Sequence, residues 1–188
     1  IVQRPILVSD AGPKHAAALV ADYMIPSQDI DGVVEGSGFM PPSVRGLDLL
    51  LAEWDYDPSG KTAVVIGRGE VGKPVAEYLL GRDATVTITH SKTKDVDRSG
   101  ICVRADIVVG AAGLETPIRV FTRDYNGLIF DYGITKNADT GVLHGDIDCN
   151  CSVLCQCQTS VPGGMGLMVR AGLLLNIVDA YKWRRGLM

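Results

Sequence analysis

The segment Thr62–Gly72, TAVVIGRGEVG, constrains this chain more than any other. Residues 63–66 are an unbroken apolar run, which reads as a strand buried on both faces. The run enters Gly67, Gly69 and Gly72, spaced G-x-G-x-x-G, and then Lys73–Leu80, which reads as a short helix. Pro74 falls in the first turn of that helix, where a missing N–H is tolerated. Strand, glycine turn and helix in this order open a βαβ unit, the setting in which such spacing binds a dinucleotide. Gly67 would permit the tight turn, Gly69 the close approach of backbone to a pyrophosphate, and Gly72 the packing of helix on strand. The pyrophosphate would then meet the helix N-terminus, where free N–H groups and the helix dipole favour an anion. A glycine turn that binds no nucleotide is the plainer alternative.

Three later segments extend the pattern. ATVTITH (84–90), ADIVVGAAG (105–113) and GLIFDYGI (127–134) read as strands, the last two running into glycine. Near-continuous apolar strands alternating with helices or loops imply a parallel sheet covered on both faces, hence an α/β fold of Rossmann type. Upstream, Ile1–Val8 reads as a strand, Ala11–Met24 as a helix, DIDG (29–32) as a turn, GSGFMPPS (36–43) as a loop and Val44–Trp54 as a helix. DYDPSG (55–60) reads as a linker, and Gly166–Trp183 as a long apolar helix whose basic end suits a C-terminus. The expected division is 1–57 as part of a second α/β domain, 58–163 as the nucleotide-binding domain, and 164–188 as a helix returning to the first part.

Composition narrows the partners. A net charge of −4 does not favour nucleic acid or an anionic membrane surface. The longest apolar runs are about half of the roughly 20 residues a membrane span needs. The opening IVQRPILV has no Met, basic region or cleavage site; it reads as the interior of a strand, so natural sequence upstream is expected. The five cysteines are Cys102, Cys149, Cys151, Cys155 and Cys157; an odd number without a secretory signal favours a reducing, cytoplasmic setting. The run CNCSVLCQC (149–157) offers four thiolates, but its C-x-C-x₃-C-x-C spacing is cramped and matches no usual zinc or cluster site. The expectation is a variable surface segment and no metal.

The end of the second strand selects the cofactor. NAD sites place Asp or Glu there to hold the ribose 2′-hydroxyl. Here the strand ends in His90-Ser91-Lys92. Ser91 can donate a hydrogen bond, while Arg68 and Lys92 can meet a negative charge, so the groups suit the 2′-phosphate of NADP. Lys92 reads equally as a solvated surface charge. His90 is expected to be a strand-end histidine with a satisfied hydrogen bond, and His15 and His144 surface residues; no catalytic role is assigned to any of them.

Together IVQRP (1–5), DIDG (29–32), VVIGRGEVGKP (64–74), ATVTITHSKT (84–93), ADIVVGAAG (105–113), FDYGI (130–134), HGDID (144–148) and VPGGMGLM (161–168) carry a family resemblance. The chain resembles the bifunctional methylenetetrahydrofolate dehydrogenase/methenyltetrahydrofolate cyclohydrolases over nearly its whole length. The resemblance implies hydride transfer from methylenetetrahydrofolate to NADP⁺, then hydrolysis of the methenyl cation to 10-formyltetrahydrofolate. It implies that the partial domain is folate-side, and that the protein is a homodimer. Gln3 and Asp31 would face the folate, with Pro162, Gly163 and Gly164 in a loop between folate and nicotinamide. Arg68 and Ser91 would hold the 2′-phosphate, Ile134 would touch the cofactor, and Ser43 would sit near the nicotinamide end. A carboxylate such as Asp31 can accept two N–H bonds from a pterin edge, and Gln3 offers donor and acceptor. From spacing alone Asp31 reads equally as a turn carboxylate before Gly32, and Gln3 as an edge-strand polar residue.

The chain departs from the pattern in several places. The family's Tyr-x-x-x-Lys helix, whose lysine is the principal catalytic group, has no counterpart here; Lys14 and Lys61 stand in unrelated contexts. Loss of such a group forfeits on the order of several kcal/mol of transition-state stabilisation, so the chain alone is expected to be a poor catalyst, above all as a cyclohydrolase. A P-C-T-P loop becomes Pro41-Pro42-Ser43-Val44, the phosphate loop is one residue shorter, and P-G-G-V-G-P-M-T becomes PGGMGLMV, with Leu167 for a proline and Val169 for a threonine. A non-catalytic NADP- or folate-binding protein is the competing expectation.

Overall fold

A computed structural model describes residues 26, 29–34, 36–93, 98–120, 125–148 and 158–187. The expected strand at 1–8, the helix at 11–24, Gln3, His15 and the cysteines of 149–157 lie outside the described residues.

The elements in chain order are α1 (Pro42–Glu53), β1 (Thr62–Ile66), α2 (Gly72–Gly81), β2 (Thr85–Thr89), α3 (Arg98–Cys102), β3 (Ile107–Gly110), β4 (Ile118–Arg119), β5 (Leu128–Asp131), β6 (Thr135–Lys136), β7 (Leu143–His144), β8 (Ile147–Asp148) and α4 (Met165–Arg184). Four strands form one parallel sheet in the order β2-β1-β3-β5. Val65 pairs with Ile88 on one side and Val109 on the other, and Val109 pairs with Phe130. The short pairs β4–β8 and β6–β7, and the single turn α3, were not legible, because two to five residues carry no measurable period.

The period-2 alternation of strands divides the apolar run into two cores. Ala63, Val65, Ile107, Val109, Leu128 and Phe130 face α1 and α2, meeting Leu47, Leu51, Val75 and Leu79. Val64, Ile66, Val108 and Ile129 face the opposite side, against Cys102, Val120, Tyr125 and Ile147. The ring of Trp54, just past α1, stacks on Phe130 with centroids 5.5 Å apart. One expectation needs correction: β2 is not covered on both faces. Only Thr89 of its five residues is buried, and Ile88 is 43% exposed. The threonine-rich TVTIT suits this outer position, where one strand edge has no partner among the described residues.

Helices α1 and α4 pack through glycine. A Cβ on Gly46 would stand 2.8 Å from the Met168 backbone, and one on Gly172 would stand 2.6 Å from the Pro42 carbonyl oxygen. Above this contact Asn176 is fully buried and fully used. Its Nδ2 donates to the carbonyls of Ile30 (2.7 Å) and Met40 (2.9 Å), and its Oδ1 accepts from Arg45. Arg45 also pairs with Asp179 at 2.6 Å. This polar cluster ties the 30–40 loop to both helices.

Gly46→Ala should lower unfolding free energy by about 1–3 kcal/mol, as overpacking of a tight core does. Gly81→Ala, where a Cβ meets nothing within 4 Å, should instead be neutral or gain up to about 1 kcal/mol in urea unfolding. Equal effects at the two positions would contradict the close helix contact.

Candidate functional site

The strand order reverses direction between β1 and β3, and the loops leaving their carboxyl ends diverge there to open a crevice, the usual ligand position in such sheets. Gly67 turns the chain out of β1 with φ 110°. A Cβ there would lie 2.3 Å from the Ala111 carbonyl oxygen, and one on Gly72 would lie 2.3 Å from that of Gly67. The first glycine therefore touches the loop after β3, and the third lets α2 sit on the turn. Gly69 differs: a Cβ there meets nothing within 4 Å, so its open side faces the crevice. Helix α2 starts without a side-chain cap; the Lys73 and Val75 N–H groups bond the Gly69 and Val71 carbonyls and Pro74 has none, so among the described residues the Gly72 N–H is the first-turn donor left for a ligand.

The crevice has a volume of about 280 Å³, and Gly67, Arg68, Gly69, Ser91 and Arg98 are among its lining residues. Among the described residues no Asp or Glu lines it. Ser91 is positioned by a turn: the Thr93 hydroxyl accepts from the His90 N–H at 2.9 Å, and His90 Nδ1 accepts from the Lys92 N–H at 3.1 Å. His90 thus has the strand-end role expected of it. Lys92 is exposed and does not line the crevice, leaving Arg68 as the cation placed there from the sequence reading.

Two buried carboxylates, given no role by the sequence reading, shape the far wall. Asp146, fully buried, accepts the N–H groups of Ala112 (2.6 Å), Gly113 (3.1 Å) and Leu114 (2.6 Å), and so pins the loop after β3. Asp131, at the end of β5, accepts from Gly133, Asp146 and Ile147 at 2.9–3.0 Å. Burial pushes the Asp131 carboxyl up to about 6; the three N–H donors oppose that shift, and the neighbouring Asp146 adds to it. The sequence signal was present, an acid closing an otherwise apolar strand, LIFD. His144 is not the surface residue expected: it is half-buried, its Nδ1 lies 2.8 Å from the Gly145 carbonyl, and its Nε2 is enclosed without a partner among the described residues.

Asp31, Ile134, Pro162, Gly163 and Gly164 do not line the crevice. Of the two acids of DIDG, Asp29 does the structural work: it is buried, and its Oδ2 accepts the Val34 N–H at 2.7 Å. Asp31 is half-buried and makes no hydrogen bond or ion pair among the described residues. Ile134 is 60% exposed, just before β6. Residues 158–160 run parallel to β5, with the Thr159 N–H on the Ile129 carbonyl at 3.0 Å and the Thr159 hydroxyl accepting the Asp131 N–H at 2.8 Å. That direction carries Pro162–Gly164 past the carboxyl end of the sheet, the end where Gly67 turns. Ser43 is buried at the start of α1, where its carbonyl accepts the Tyr132 hydroxyl at 2.8 Å; burial raises the phenol and keeps that proton in place. Among the described residues no group of His, Cys, Asp or Glu is placed to hold a metal, and no helix is long and apolar enough to cross a membrane.

A family model described as tetrahydrofolate dehydrogenase/cyclohydrolase, NAD(P)-binding domain, matches residues 41–185. The chain is 36% identical over 189 residues to the bifunctional protein FolD of Pelagibacter ubique, covering 94% of this chain and 66% of the relative. It is 39% identical over 187 residues to FolD of Campylobacter concisus, covering 93% and 65%. Among solved structures it is similar to the bifunctional FolD methylenetetrahydrofolate dehydrogenase/cyclohydrolase of Campylobacter jejuni, with TM-score 0.74, 33% identity and coverage of 88% and 62%. It is also similar to the Trypanosoma brucei enzyme complexed with NADP cofactor and inhibitor, with TM-score 0.77, 29% identity and coverage of 92% and 64%. The chain thus spans about 65% of the length of the curated relatives it matches.

Asp131 supplies a test of the far wall. Its pKa is raised from the ordinary 3.8 to about 6, so between these pH values the folded chain holds a proton that the unfolded chain releases. The stability this group contributes is complete below about pH 4 and is lost as pH rises through about 6. Carbon-13 titration of the Asp131 carboxyl should show a midpoint near 6, and urea unfolding of Asp131→Asn should lose this slope. A midpoint at or below the ordinary value would refute the assignment.

Proposed function

The chain belongs to the tetrahydrofolate dehydrogenase/cyclohydrolase family, and on that premise we propose that its Gly67–Ser91 crevice binds NADP and serves the oxidation of methylenetetrahydrofolate to methenyltetrahydrofolate. In the intact family protein, hydrolysis of the methenyl cation to 10-formyltetrahydrofolate follows. The observation that carries the reading is a crevice that joins the glycine turn, Arg68 and Ser91 with no Asp or Glu among its described lining residues. A ribose 2′-hydroxyl calls for a carboxylate acceptor, whereas a 2′-phosphate calls for N–H and O–H donors and a cation. That the Trypanosoma brucei relative was solved with NADP supports the same choice.

In this reading the open side of Gly69 receives the pyrophosphate, with the Gly72 N–H at the start of α2 as a donor. Arg68 and Ser91 hold the 2′-phosphate. NADP supplies the nicotinamide that accepts the hydride. The loop Ala111–Leu114, pinned by Asp146, and Ile134 border the rest of the cofactor. Asp31, with its carboxylate uncommitted, and Gln3 bind the pterin edge, and Pro162–Gly164 separate it from the nicotinamide. Residues 1–57 and 164–188 form the folate side and 58–163 the nucleotide side, in a homodimer of the cytoplasm.

A second reading rests on one observation: the family's Tyr-x-x-x-Lys helix has no counterpart among these 188 residues, the one match to that spacing, Tyr132 to Lys136, running from the end of β5 into β6. The 188-residue chain is therefore expected to bind NADP⁺ with little or no turnover. Calorimetry should show NADP⁺ binding at least about tenfold tighter than NAD⁺, a difference of about 1.4 kcal/mol. Formation of the methenyl chromophore from methylenetetrahydrofolate and NADP⁺ separates the two readings. Absence of NADP⁺ binding would sink both.

Two substitutions sharpen the test. Arg68→Ala should weaken NADP⁺ by about 10- to 100-fold, the loss of a charge-assisted contact, with little effect on NAD⁺. Gly69→Val should leave the urea midpoint nearly unchanged, since its Cβ meets nothing within 4 Å, yet reduce affinity for both nucleotides.

A further inference from the structure

Arg98 opens α3, on the β2 side of the crevice, and lines it together with Arg68 and Ser91. Its guanidinium makes one weak contact, from Nη2 to the His90 carbonyl at 3.4 Å. Its Nε is enclosed by the protein and has no hydrogen-bond partner, and no carboxylate pairs with it among the described residues. A buried guanidinium N–H without an acceptor is costly, and such groups are ordinarily matched by a carboxylate or phosphate. The neighbouring Thr89, 2% exposed and also lining the crevice, has a hydroxyl that is likewise without a partner. The β2 side of the crevice therefore holds donors that the described residues leave unmatched, and the acceptor they lack is an anion.

We propose that Arg98 is a specificity-determining residue: a second cationic contact for the 2′-phosphate of NADP, acting beside Arg68 and Ser91. The inference rests on the assignment of this crevice to NADP. The ribose of a dinucleotide on a glycine turn of this kind lies over the end of the second strand. That is where Ser91 stands and where the Arg98 guanidinium reaches the His90 carbonyl. A phosphate dianion presents several acceptor oxygens, enough for Ser91 and two guanidinium groups at once. The weak 3.4 Å contact to His90 leaves the side chain free to turn toward it.

The test uses the 188-residue chain, with Arg98→Ala, Arg98→Lys and Arg68→Ala compared by calorimetry against NADP⁺, NAD⁺, 2′,5′-ADP and 5′-AMP. Arg98→Ala should weaken NADP⁺ and 2′,5′-ADP about tenfold, or about 1.4 kcal/mol, while NAD⁺ and 5′-AMP change less than twofold. Arg98→Lys should recover part of the loss, and the affinity of the unchanged chain for NADP⁺ should fall more steeply with salt than that of Arg98→Ala. Ligand-free thermal unfolding of each variant checks that the fold survives. If Arg98→Ala weakens NAD⁺ and NADP⁺ alike, Arg98 supports the adenosine and not the phosphate, and the inference fails. If NADP⁺ affinity is unchanged in Arg98→Ala but lost in Arg68→Ala, the inference fails and the NADP assignment stands. If the unchanged chain binds neither dinucleotide, the assignment fails and the inference with it.

Discussion

At the carboxyl end of the sheet, two backbone segments approach more closely than any side chain would allow. Gly67 lies so near the Ala111 carbonyl that a single Cβ would close the gap, and Gly72 presses on Gly67 in the same way. The turn after β1, the loop after β3 and the start of α2 are thereby held as one unit. The crevice, the open side of Gly69 and the uncapped N-terminus of α2 all inherit their positions from this contact. A β-carbon at either glycine would separate β1 from β3, or lift α2 from the turn. Both changes would enlarge the crevice and weaken its shape.

Charge is sorted around that unit. The chain as a whole carries −4, yet the two buried acids of the far wall, Asp131 and Asp146, point at backbone N–H groups. Asp146 spends its carboxylate on three consecutive N–H groups of the β3 loop, and Asp131 on three more beneath it. Such bonds satisfy donors that a buried loop would otherwise leave orphaned. The cations Arg68 and Arg98 instead line the crevice, where no acid among the described residues pairs with them.

Much of this was legible in the sequence, and the remainder was hidden for identifiable reasons. The strands at 62–66, 107–110 and 128–131 lie within the segments that apolar period and glycine punctuation mark out, and the helices at 42–53, 72–81 and 165–184 depart from the expected 44–54, 73–80 and 166–183 by one or two residues at each end. The glycine turn and Ser91 were legible because their spacing encodes a backbone path that few other folds require. Arg98 was not legible, since a charged residue after an apolar strand looks like any solvated arginine until α3 turns it onto the crevice. Asp131 and Asp146 were visible as acids inside apolar stretches, but which N–H groups they meet depends on loops separated by up to 34 residues. His144 was misjudged because β7 is only two residues long and shows no pattern of burial.

The DIDG turn holds two acids whose structural work spacing does not assign. From spacing alone Asp31 reads equally as a turn carboxylate before Gly32 and as a ligand. In the fold the structural work falls to Asp29, through the Val34 N–H, and the turn is fixed further by Asn176 on the Ile30 carbonyl. Asp31 is left with nothing to hold inside the described residues. Asn176 belongs to the same cluster as Arg45 and Asp179, which rides on the glycine contact between α1 and α4. The position of Asp31 is therefore set by two helices, not by the turn alone. Because Tyr132 bonds the first turn of α1 to the end of β5, those helices are tied in turn to the sheet that shapes the crevice. A carboxylate distant in sequence from the glycine turn is thus held in fixed relation to it by backbone contact and buried polar bonds.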